Sequence, residues 1–316
     1  MALRTNPLGS SGIEVSALSL GSWRTYERIP RAQALSVLEA ARDAGITFLD
    51  DARYNDETGT APLASGYSEV LFGELFRATG WARDQVVIAN KLWWEFWPAQ
   101  SAQEELESSL ARTGLDYLDL EYALPPPPGL EIDDLVSELG TVIASGKLRA
   151  WGVANWAPQQ VAAAARAAER QGVPPPCAAQ LQYSLVNRTA VEDPEMLAAL
   201  ELAGASVVAS ASLQYGALSG KYAAGGTAGR IADEVHDPAY EAARGAAVEL
   251  EALGARLGTA PATLAYAFAL SHAAVASVLF GATRPEQVVE NVAAAALLER
   301  IDASDRAALS AIGRGA

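Results

Sequence analysis

The residues that decide the fold are 86–120, VVIANKLWWEFWPAQSAQEELESSLARTGLDYLDL, which carry an apolar run on either side of a helical pattern. The runs Val86–Ala89 and Tyr117–Leu120 have the length and apolar character of buried strands. Between them, Ser101-x-x-Glu104 predicts a capping box that opens an amphipathic helix. A strand exposed on one face would alternate apolar with polar residues, so these runs indicate a parallel sheet covered by helices.

The same alternation of strand and helix extends over the whole chain. The candidate strands are Val15–Leu20, Ile46–Leu49, Val86–Ala89, Tyr117–Leu120, Leu148–Val153, Ala178–Leu181, Ser206–Ala209 and Ala276–Phe280. Eight such units favour a closed (β/α)8 TIM barrel of the α/β class. An open doubly wound sheet is the alternative, but the residues after the first run, Gly21-Ser22-Trp23-Arg24, lack its G-x-G-x-x-G signature. The turn-rich residues 6–15 predict an N-terminal β-hairpin that closes the barrel floor.

Composition excludes several classes of function. Lys and Arg number 23 against 38 Asp and Glu, which gives a net charge of −15 and disfavours binding to nucleic acid. No apolar run approaches the ~20 residues of a membrane-spanning helix. The single Cys177 cannot close an intrachain disulfide, and the N-terminus lacks the apolar stretch of a signal peptide, so we expect a cytoplasmic protein. Its proline clusters are too short for linkers, which predicts one domain over residues 1–316.

The reacting groups of such a barrel project from the C-terminal ends of its strands. Asp50 and Tyr54 follow the second predicted strand, and Lys91 follows the third. A phenol becomes a usable acid when an ammonium stabilises its phenolate, so Tyr54 is a candidate proton donor, Lys91 its neighbour and Asp50 the anchor of Lys91. The alternative is an Asp–Lys ion pair beside a core tyrosine, with a purely structural role.

Two further strand ends and one helix start suggest ligand contacts. Asn155 follows the fifth predicted strand and Gln180 lies on the sixth. Their carboxamides suit a planar amide such as nicotinamide, although ordinary strand-end capping is the alternative. After the last strand, Thr283-x-x-Glu286 predicts a capping box with a proline in the first turn. Backbone N–H groups there, together with Arg284, suit a phosphate.

The chain resembles the aldo-keto reductase family from residue 8 to residue 291. The motifs that carry the resemblance are Gly152-Val153-Ala154-Asn155-Trp156, Gln180-Leu181-Gln182-Tyr183-Ser184-Leu185, Leu218-Ser219-Gly220-Lys221-Tyr222 and the segment Gly281–Asn291. The resemblance implies a barrel that binds NADPH, with NADH less favoured, and transfers hydride to a small-molecule substrate. It also implies a monomer or a weak homo-oligomer. No metal site is expected.

The resemblance also implies roles for individual residues. Asp50, Tyr54 and Lys91 stand where three members of the family's Asp, Tyr, Lys, His tetrad belong. The residues implied in cofactor binding are Asn155, Gln180, Ser210, Leu213, Gly281, Thr283, Arg284, Gln287, Glu290 and Asn291.

Three positions depart from the family pattern. Only three residues separate Asp50 from Tyr54, where the family usually has four, so Asp51 competes with Asp50 for the aspartate position. Ser210 replaces the aromatic residue that stacks on nicotinamide, and Tyr215 is the nearest aromatic downstream. Leu124 occupies the position of the catalytic histidine, and leucine can neither donate a hydrogen bond nor orient a carbonyl.

Leu124 leaves three interpretations open. The substrate is one that Tyr54 alone can protonate, or it contains an activated C=C or C=N bond, or the protein is a cofactor-binding regulator or sensor with little turnover. Retention of Tyr54 together with Lys91 favours an oxidoreductase. Of the two histidines, His236 is a candidate replacement acid but is more simply a solvated loop residue, and His272 is expected in a surface loop at the barrel bottom.

Aromatic residues cluster after the first and third predicted strands. We expect Trp23, Trp93, Trp94 and Leu124 to line the substrate pocket, with contributions from Tyr26, Phe96 and Trp97, although some tryptophans can pack between helices instead. Such a wall favours a largely apolar or ring-shaped substrate.

Overall fold

The strands form a closed parallel barrel in a computed structural model that describes residues 3–222, 229, 231–234 and 236–314. The barrel strands are β3 (Leu18–Gly21), β4 (Phe48–Asp50), β5 (Val87–Leu92), β6 (Leu118–Ala123), β7 (Leu148–Ala154), β8 (Ala178–Gln182), β9 (Ser206–Ser210) and β10 (Val275–Phe280). Each strand pairs with the next, and β10 returns to β3 through the pair Val278 and Leu18. The predicted eight-stranded (β/α)8 architecture is confirmed.

The strands lie between two apolar layers, which explains their continuous apolar character. Every residue of β5 and β6 is buried. Alternate residues face inwards, so Phe48, Leu120 and Val208 pack together inside the barrel, while the intervening residues meet the surrounding helices. The reading of these runs as strands buried on both faces is therefore correct.

The helices of the described residues surround the barrel. They are α1 (Arg31–Asp43), α2 (Tyr67–Ala78), α3 (Ala102–Thr113), α4 (Ile132–Ala144), α5 (Pro158–Gln171), α6 (Thr189–Glu192), α7 (Pro194–Ala203), α8 (Glu241–Leu257), α9 (Pro261–Leu270), α10 (Pro285–Arg300) and α11 (Ala303–Ala311). The predicted capping box at Ser101 and Glu104 opens α3. Among the described residues, no helix has both the length and the apolar character that crossing a membrane requires.

An antiparallel hairpin closes the floor of the barrel, as the turn-rich N-terminal residues predicted. Its strands are β1 (Thr5–Pro7) and β2 (Glu14–Ser16). Gly9 donates its N–H to Ser206 Oγ at 2.9 Å, at the start of β9. Gly9 has φ +55°, and a Cβ there would lie 2.3 Å from the Cys177 carbonyl oxygen, so only glycine fits.

The first predicted strand, Val15–Leu20, is divided in the structure. Val15 belongs to the hairpin, and the barrel strand β3 begins only at Leu18. Ser16 Oγ bridges the break by donating to the Leu18 carbonyl oxygen at 2.7 Å. A continuous apolar run contains no signal for a change of sheet partner, so this boundary depends on tertiary contacts.

Candidate active site

Asp50, Tyr54 and Lys91 meet at the mouth, the end of the barrel where the C-termini of the strands lie. Asp50 ends β4, and Lys91 lies on the neighbouring β5, whose Ala89 pairs with Asp50. Lys91 Nζ donates to Asp50 Oδ1 and lies 3.2 Å from Tyr54 Oη. Asp50 is 2% exposed and Lys91 8% exposed. The shortened spacing between Asp50 and Tyr54 therefore still brings the phenol to the ammonium.

Burial and charge act in opposite directions on the acidity of Tyr54. Burial raises the pKa of Tyr54 above its ordinary value, and the Lys91 ammonium opposes that rise without cancelling it. The lowering effect of Lys91 agrees in direction with the role expected for its ammonium, and burial is the larger effect. Burial opposes the charge on Lys91, but Asp50 and then Tyr54 raise the pKa of Lys91 overall. Tyr54 thus keeps its proton at neutral pH beside a charged Lys91.

Asp51 faces away from this network, which settles which aspartate adjoins Lys91. Ser22 Oγ donates to Asp51 Oδ1, whereas Asp50 Oδ2 accepts a hydrogen bond of 2.8 Å from Gln180 Nε2. Burial, then the charge of Glu69, raises the pKa of Asp51 to about 8. Successive residues of a strand point to opposite faces, so only Asp50 reaches Lys91.

An aromatic wall surrounds Tyr54. The Trp23 ring centroid lies 6.5 Å from that of Tyr54, and the Trp93 ring stands edge-on to Tyr54 at 6.0 Å. Tyr215 extends the wall at 5.9 Å from Trp23. The predicted pocket residues Trp23 and Trp93 are thus brought together with Tyr54, and Tyr215 joins them from the loop after β9.

The remaining aromatic candidates occupy different environments. Trp94 is only 4% exposed, packs against Trp97 and donates from Nε1 to the Leu124 carbonyl oxygen at 3.2 Å. Tyr26 is likewise buried, while Phe96 is 53% exposed and lies against the Arg53 guanidinium. Trp94 and Tyr26 therefore belong to the core, although both were expected to line the substrate pocket.

Leu124 stands directly after β6 and contributes an apolar, half-buried side chain. Its backbone N–H donates to the Leu92 carbonyl oxygen at 3.0 Å, so the residue is tied to the end of β5. His236 is exposed. His272 lies in the loop between α9 and β10, as expected, and it is half-buried, with its ring centroid 5.6 Å from that of Tyr183.

Buried carboxylates behind the mouth were largely missed by sequence reasoning. Glu69 on α2 accepts from Asn90 Nδ2 at 2.8 Å, and Glu105 on α3 accepts from the backbone of the loop after β5. Glu121 on β6 is fully buried among the described residues without a hydrogen-bond partner, and burial raises the pKa of Glu121 well above its ordinary value. The available signal was the position of Glu69 one helical turn before the buried Phe72.

The residues expected to hold nicotinamide lie on the next strands. Asn155 follows β7 with an exposed side chain and φ +57°, and its N–H donates to the Gln180 carbonyl oxygen at 2.9 Å. Gln180 uses Nε2 for Asp50, which leaves Oε1 for another donor. Ser210 and Leu213, at and after the end of β9, are half-buried. The amide groups of Asn155 and Gln180 fit the donor and acceptor pattern of a nicotinamide amide.

The start of α10 differs from the prediction by one residue. Arg284 is the N-cap, and Gln287, rather than Glu286, completes the capping box. Gln287 Oε1 accepts from the N–H groups of Thr283 at 2.9 Å and Arg284 at 3.1 Å. These two N–H groups are thus engaged by Gln287 within the chain, and the phosphate contact at this helix start stays a prediction. Proline favours the first helical position, and Pro285 would have given the correct register.

Other groups at this helix remain compatible with a nucleotide. The Arg284 and Glu290 side chains and Gly281 are exposed, while Asn291 is buried. An exposed guanidinium suits a phosphate. In the part of the chain that the structure describes, no group of three or more His, Cys, Asp or Glu residues is arranged to hold a metal ion.

An eight-stranded barrel with Asp, Lys and Tyr at its mouth defines a class of reductase-like proteins, and the sequence places this chain within it. The sequence model of the aldo/keto reductase family matches residues 17–314, so the protein belongs to that family. Membership supports an NADPH-dependent, oxidoreductase-like role.

Curated relatives cover most of the chain. A probable voltage-gated potassium channel subunit beta of Oryza sativa subsp. japonica is 32% identical over 309 residues, 91% of this chain and 89% of that protein. The corresponding protein of Arabidopsis thaliana is 31% identical, with 91% and 89% covered. A putative subunit of the same type from Schizosaccharomyces pombe is 28% identical, with 93% and 88% covered.

Proposed function

We propose that this protein is an NADPH-dependent oxidoreductase that transfers hydride to a carbonyl, or to an activated C=C or C=N bond, of a largely apolar or ring-shaped molecule. The observation that carries the proposal is the 3.2 Å contact between Lys91 Nζ and Tyr54 Oη at the mouth. A protein that only binds a cofactor needs no phenol paired with a buried ammonium. Family membership supports the same class of reaction.

Tyr54 acts as the proton donor in this proposal. Bound NADPH would supply the hydride, and the Tyr54 hydroxyl gives its proton to the substrate atom that gains negative charge. Lys91 stabilises the phenolate left behind, because its ammonium favours the deprotonated form of Tyr54. Asp50 holds Lys91 charged and in place through a buried ion pair.

The walls of the mouth favour substrates recognised by shape. Trp23 and Trp93 present ring surface beside Tyr54, and Leu124 adds an aliphatic side chain where the family has a hydrogen-bond donor. The carbonyl of a simple aldehyde is only weakly activated at this mouth, since Tyr54 is the one residue that would polarise its oxygen. A conjugated or protonated acceptor needs less polarisation, so the proposal favours activated C=C or C=N bonds.

The proposal assigns cofactor binding to the strand ends opposite Tyr54 and to the start of α10. Asn155 and Gln180 hold the nicotinamide amide, and Arg284 meets a phosphate of the adenosine half. The residues that complete this surface are Ser210, Leu213, Gly281, Thr283, Gln287, Glu290 and Asn291. Gln287 either contacts the nucleotide while its Oε1 still accepts from Thr283 and Arg284, or it breaks these two hydrogen bonds when the nucleotide binds.

The test compares Tyr54→Phe with the wild type. We expect the change to lower NADPH-dependent turnover by about 10²–10⁴-fold, as loss of a positioned acid does, with NADPH affinity unchanged. Turnover is followed by NADPH absorbance with an aldehyde, an enone and a cyclic imine, and affinity by NADPH fluorescence. Tyr117→Phe is the matched control, because Tyr117 precedes β6 at the opposite end of the barrel. Activity of Tyr54→Phe within about threefold of wild type would refute this proton donor.

A second candidate is a cofactor-binding regulatory protein or sensor with little turnover. Two observations favour it: the curated relatives are named as potassium channel beta subunits, and Leu124 removes one member of the family's tetrad. Binding of NADPH without turnover of any of the three acceptors would support this candidate over the reductase. A cytoplasmic location and a monomeric or weakly oligomeric state stay predictions from the sequence.

A further inference from the structure

Glu105 on α3 holds the loop that follows β5. Its side chain is buried, with the residue 5% exposed. Oε1 accepts the backbone N–H of Trp93 at 2.7 Å, and Oε2 accepts that of Trp94 at 3.1 Å. One carboxylate therefore binds two consecutive N–H groups of a loop that contributes to the mouth.

The backbone held by Glu105 has an uncommon conformation. Trp94 has φ +60°, in the left-handed region that a large side chain adopts only when its surroundings hold it there. The two tryptophans consequently occupy different environments: Trp93 stands edge-on to Tyr54, and Trp94 is buried and donates to the Leu124 carbonyl oxygen. A single turn thus links the ring beside Tyr54 to the residue at the histidine position.

The Trp93 ring depends on this backbone for its orientation. Its indole N–H is buried and makes no hydrogen bond to any described residue. The ring is held by packing, by the Arg53 guanidinium 6.0 Å from its centroid, and by the position of its own Cα. A shift of the backbone therefore moves the ring directly.

We propose that Glu105 is a positioning residue of the mouth: by accepting the N–H groups of Trp93 and Trp94, it fixes the ring that faces Tyr54 and the contact to Leu124. The expected effect of Glu105 on turnover rests on the proposed function. Its expected effect on the orientation of Trp93 does not, so the proposed function and the role of Glu105 can be refuted independently.

The chemistry of the contact predicts a graded series of variants. A carboxylate offers one oxygen to each N–H group. Glu105→Gln retains one acceptor and turns an NH2 group towards the other N–H, while Glu105→Leu removes both acceptors. A misplacement of about 1 Å at a reaction site can cost 10²-fold in rate, so we expect kcat/KM to fall about 10²-fold in Glu105→Leu and less in Glu105→Gln. NADPH affinity should not change, because Asn155 and Arg284 lie on other elements.

The readout independent of turnover is the signal of Trp93 in the folded protein. The near-ultraviolet circular dichroism of wild type minus that of Trp93→Phe isolates the contribution of this ring in its asymmetric environment. Glu105→Leu should lose that contribution, and Glu105→Gln should retain part of it. Kinetics with 4-nitrobenzaldehyde, 2-cyclohexenone and 1-pyrroline supply kcat and KM for the same proteins.

Glu121→Gln is the matched control. Glu121 on β6 is also a buried carboxyl, but it has no hydrogen-bond partner among the described residues, so its variant should keep both the kinetics and the Trp93 signal of wild type. Urea unfolding of every variant separates stability from positioning. The proposal is overturned if Glu105→Leu loses unfolding free energy while its Trp93 signal matches that of wild type, whatever its kcat/KM. If Glu105→Leu does not fold, the same comparison on Glu105→Gln decides.

If wild type reduces none of the three acceptors, the proposed function fails and the Trp93 signal still decides the role of Glu105. If wild type is active and the Trp93 signal is unchanged in the variants, the proposed function stands and the role of Glu105 is refuted.

Discussion

The two halves of the mouth differ in how their functional residues are held. Around β4 and β5, Lys91 contacts both Asp50 and Tyr54, and Gln180 reaches Asp50 from β8 on the cofactor half. On the cofactor half, Asn155 and Arg284 are exposed and lie on separate elements. Groups that must tune each other's protonation have to be in contact, whereas groups that hold a long cofactor are spaced by that cofactor. Contacts within the protein therefore bring the catalytic residues together, whereas Asn155 and Arg284 stay apart.

The strongest test of this comparison breaks the buried pair in the catalytic half. Lys91→Met leaves Asp50 charged and unpaired, so we expect unfolding free energy to fall by about 3–5 kcal/mol and turnover by about 10²–10⁴-fold. Urea unfolding and NADPH oxidation measure the two losses. The double variant Asp50→Asn, Lys91→Met should recover stability but not turnover, because no charge remains to stabilise the phenolate. Recovery of turnover in the double variant would contradict the role of Lys91.

Leu124→His tests the catalytic half by restoring a hydrogen-bond donor at the position of the family's histidine. A histidine there should raise activity towards ordinary aldehydes by at least about tenfold, a part of what a positioned acid–base group contributes. It should also impair reduction of the acceptor that wild type prefers, since a polar ring enters an apolar wall. Leu124→Phe, a ring without a donor, controls for bulk. High aldehyde activity in wild type would show that the absence of the histidine has little effect on carbonyl reduction.

In the cofactor half, Arg284→Ala should have a smaller and more selective effect. Arg284 stands where the family meets the 2′-phosphate, which NADH lacks, so loss of this charge-assisted contact should weaken NADPH by about tenfold to a hundredfold and leave NADH nearly unchanged. Fluorescence titration with both cofactors measures the difference. Arg300→Ala, an exposed arginine at the far end of α10, is the control. Equal weakening of both cofactors would remove Arg284 from the phosphate site.

The effect is smallest per pH unit for Asp51, which lies beside the catalytic half without joining it. Its pKa is about 8 in the folded protein against an ordinary value of 3.8, so the folded state binds the proton more tightly. Stability from this group is therefore present at low pH and declines as the pH rises towards about 8. In Asp51→Asn, the decline in unfolding free energy should be shallower by up to about 1.4 kcal/mol per pH unit. Urea unfolding at a series of pH values measures this dependence of the unfolding free energy on pH.

The exposed Asp43→Asn is the control for that slope and should follow wild type. Equal slopes in wild type and Asp51→Asn would show that Asp51 is not protonated in the folded protein.

Sequence reasoning was accurate for the strand ends and less accurate for individual side chains. The positions of Asp50, Tyr54 and Lys91 at one mouth followed from strand ends alone, because parallel strands of a barrel end on the same face. The capping box of α10 was misplaced by one residue, and Trp94 was expected in the pocket although it belongs to the core. Each error concerns where one side chain points, which neighbouring segments decide.

Local patterns in the sequence were sufficient to predict the barrel, the hairpin at its floor and the strand ends that carry reactive groups. Apolar periodicity and capping are local properties of a chain, and they are sufficient to fix the type and order of its elements. Three features became visible only in the tertiary structure. Asp50 rather than Asp51 contacts Lys91, and burial outweighs the ammonium in setting the pKa of Tyr54. Glu105 accepts a hydrogen bond from the turn at Trp94. These outcomes depend on desolvation and on atoms from distant segments, which no local pattern of residues contains.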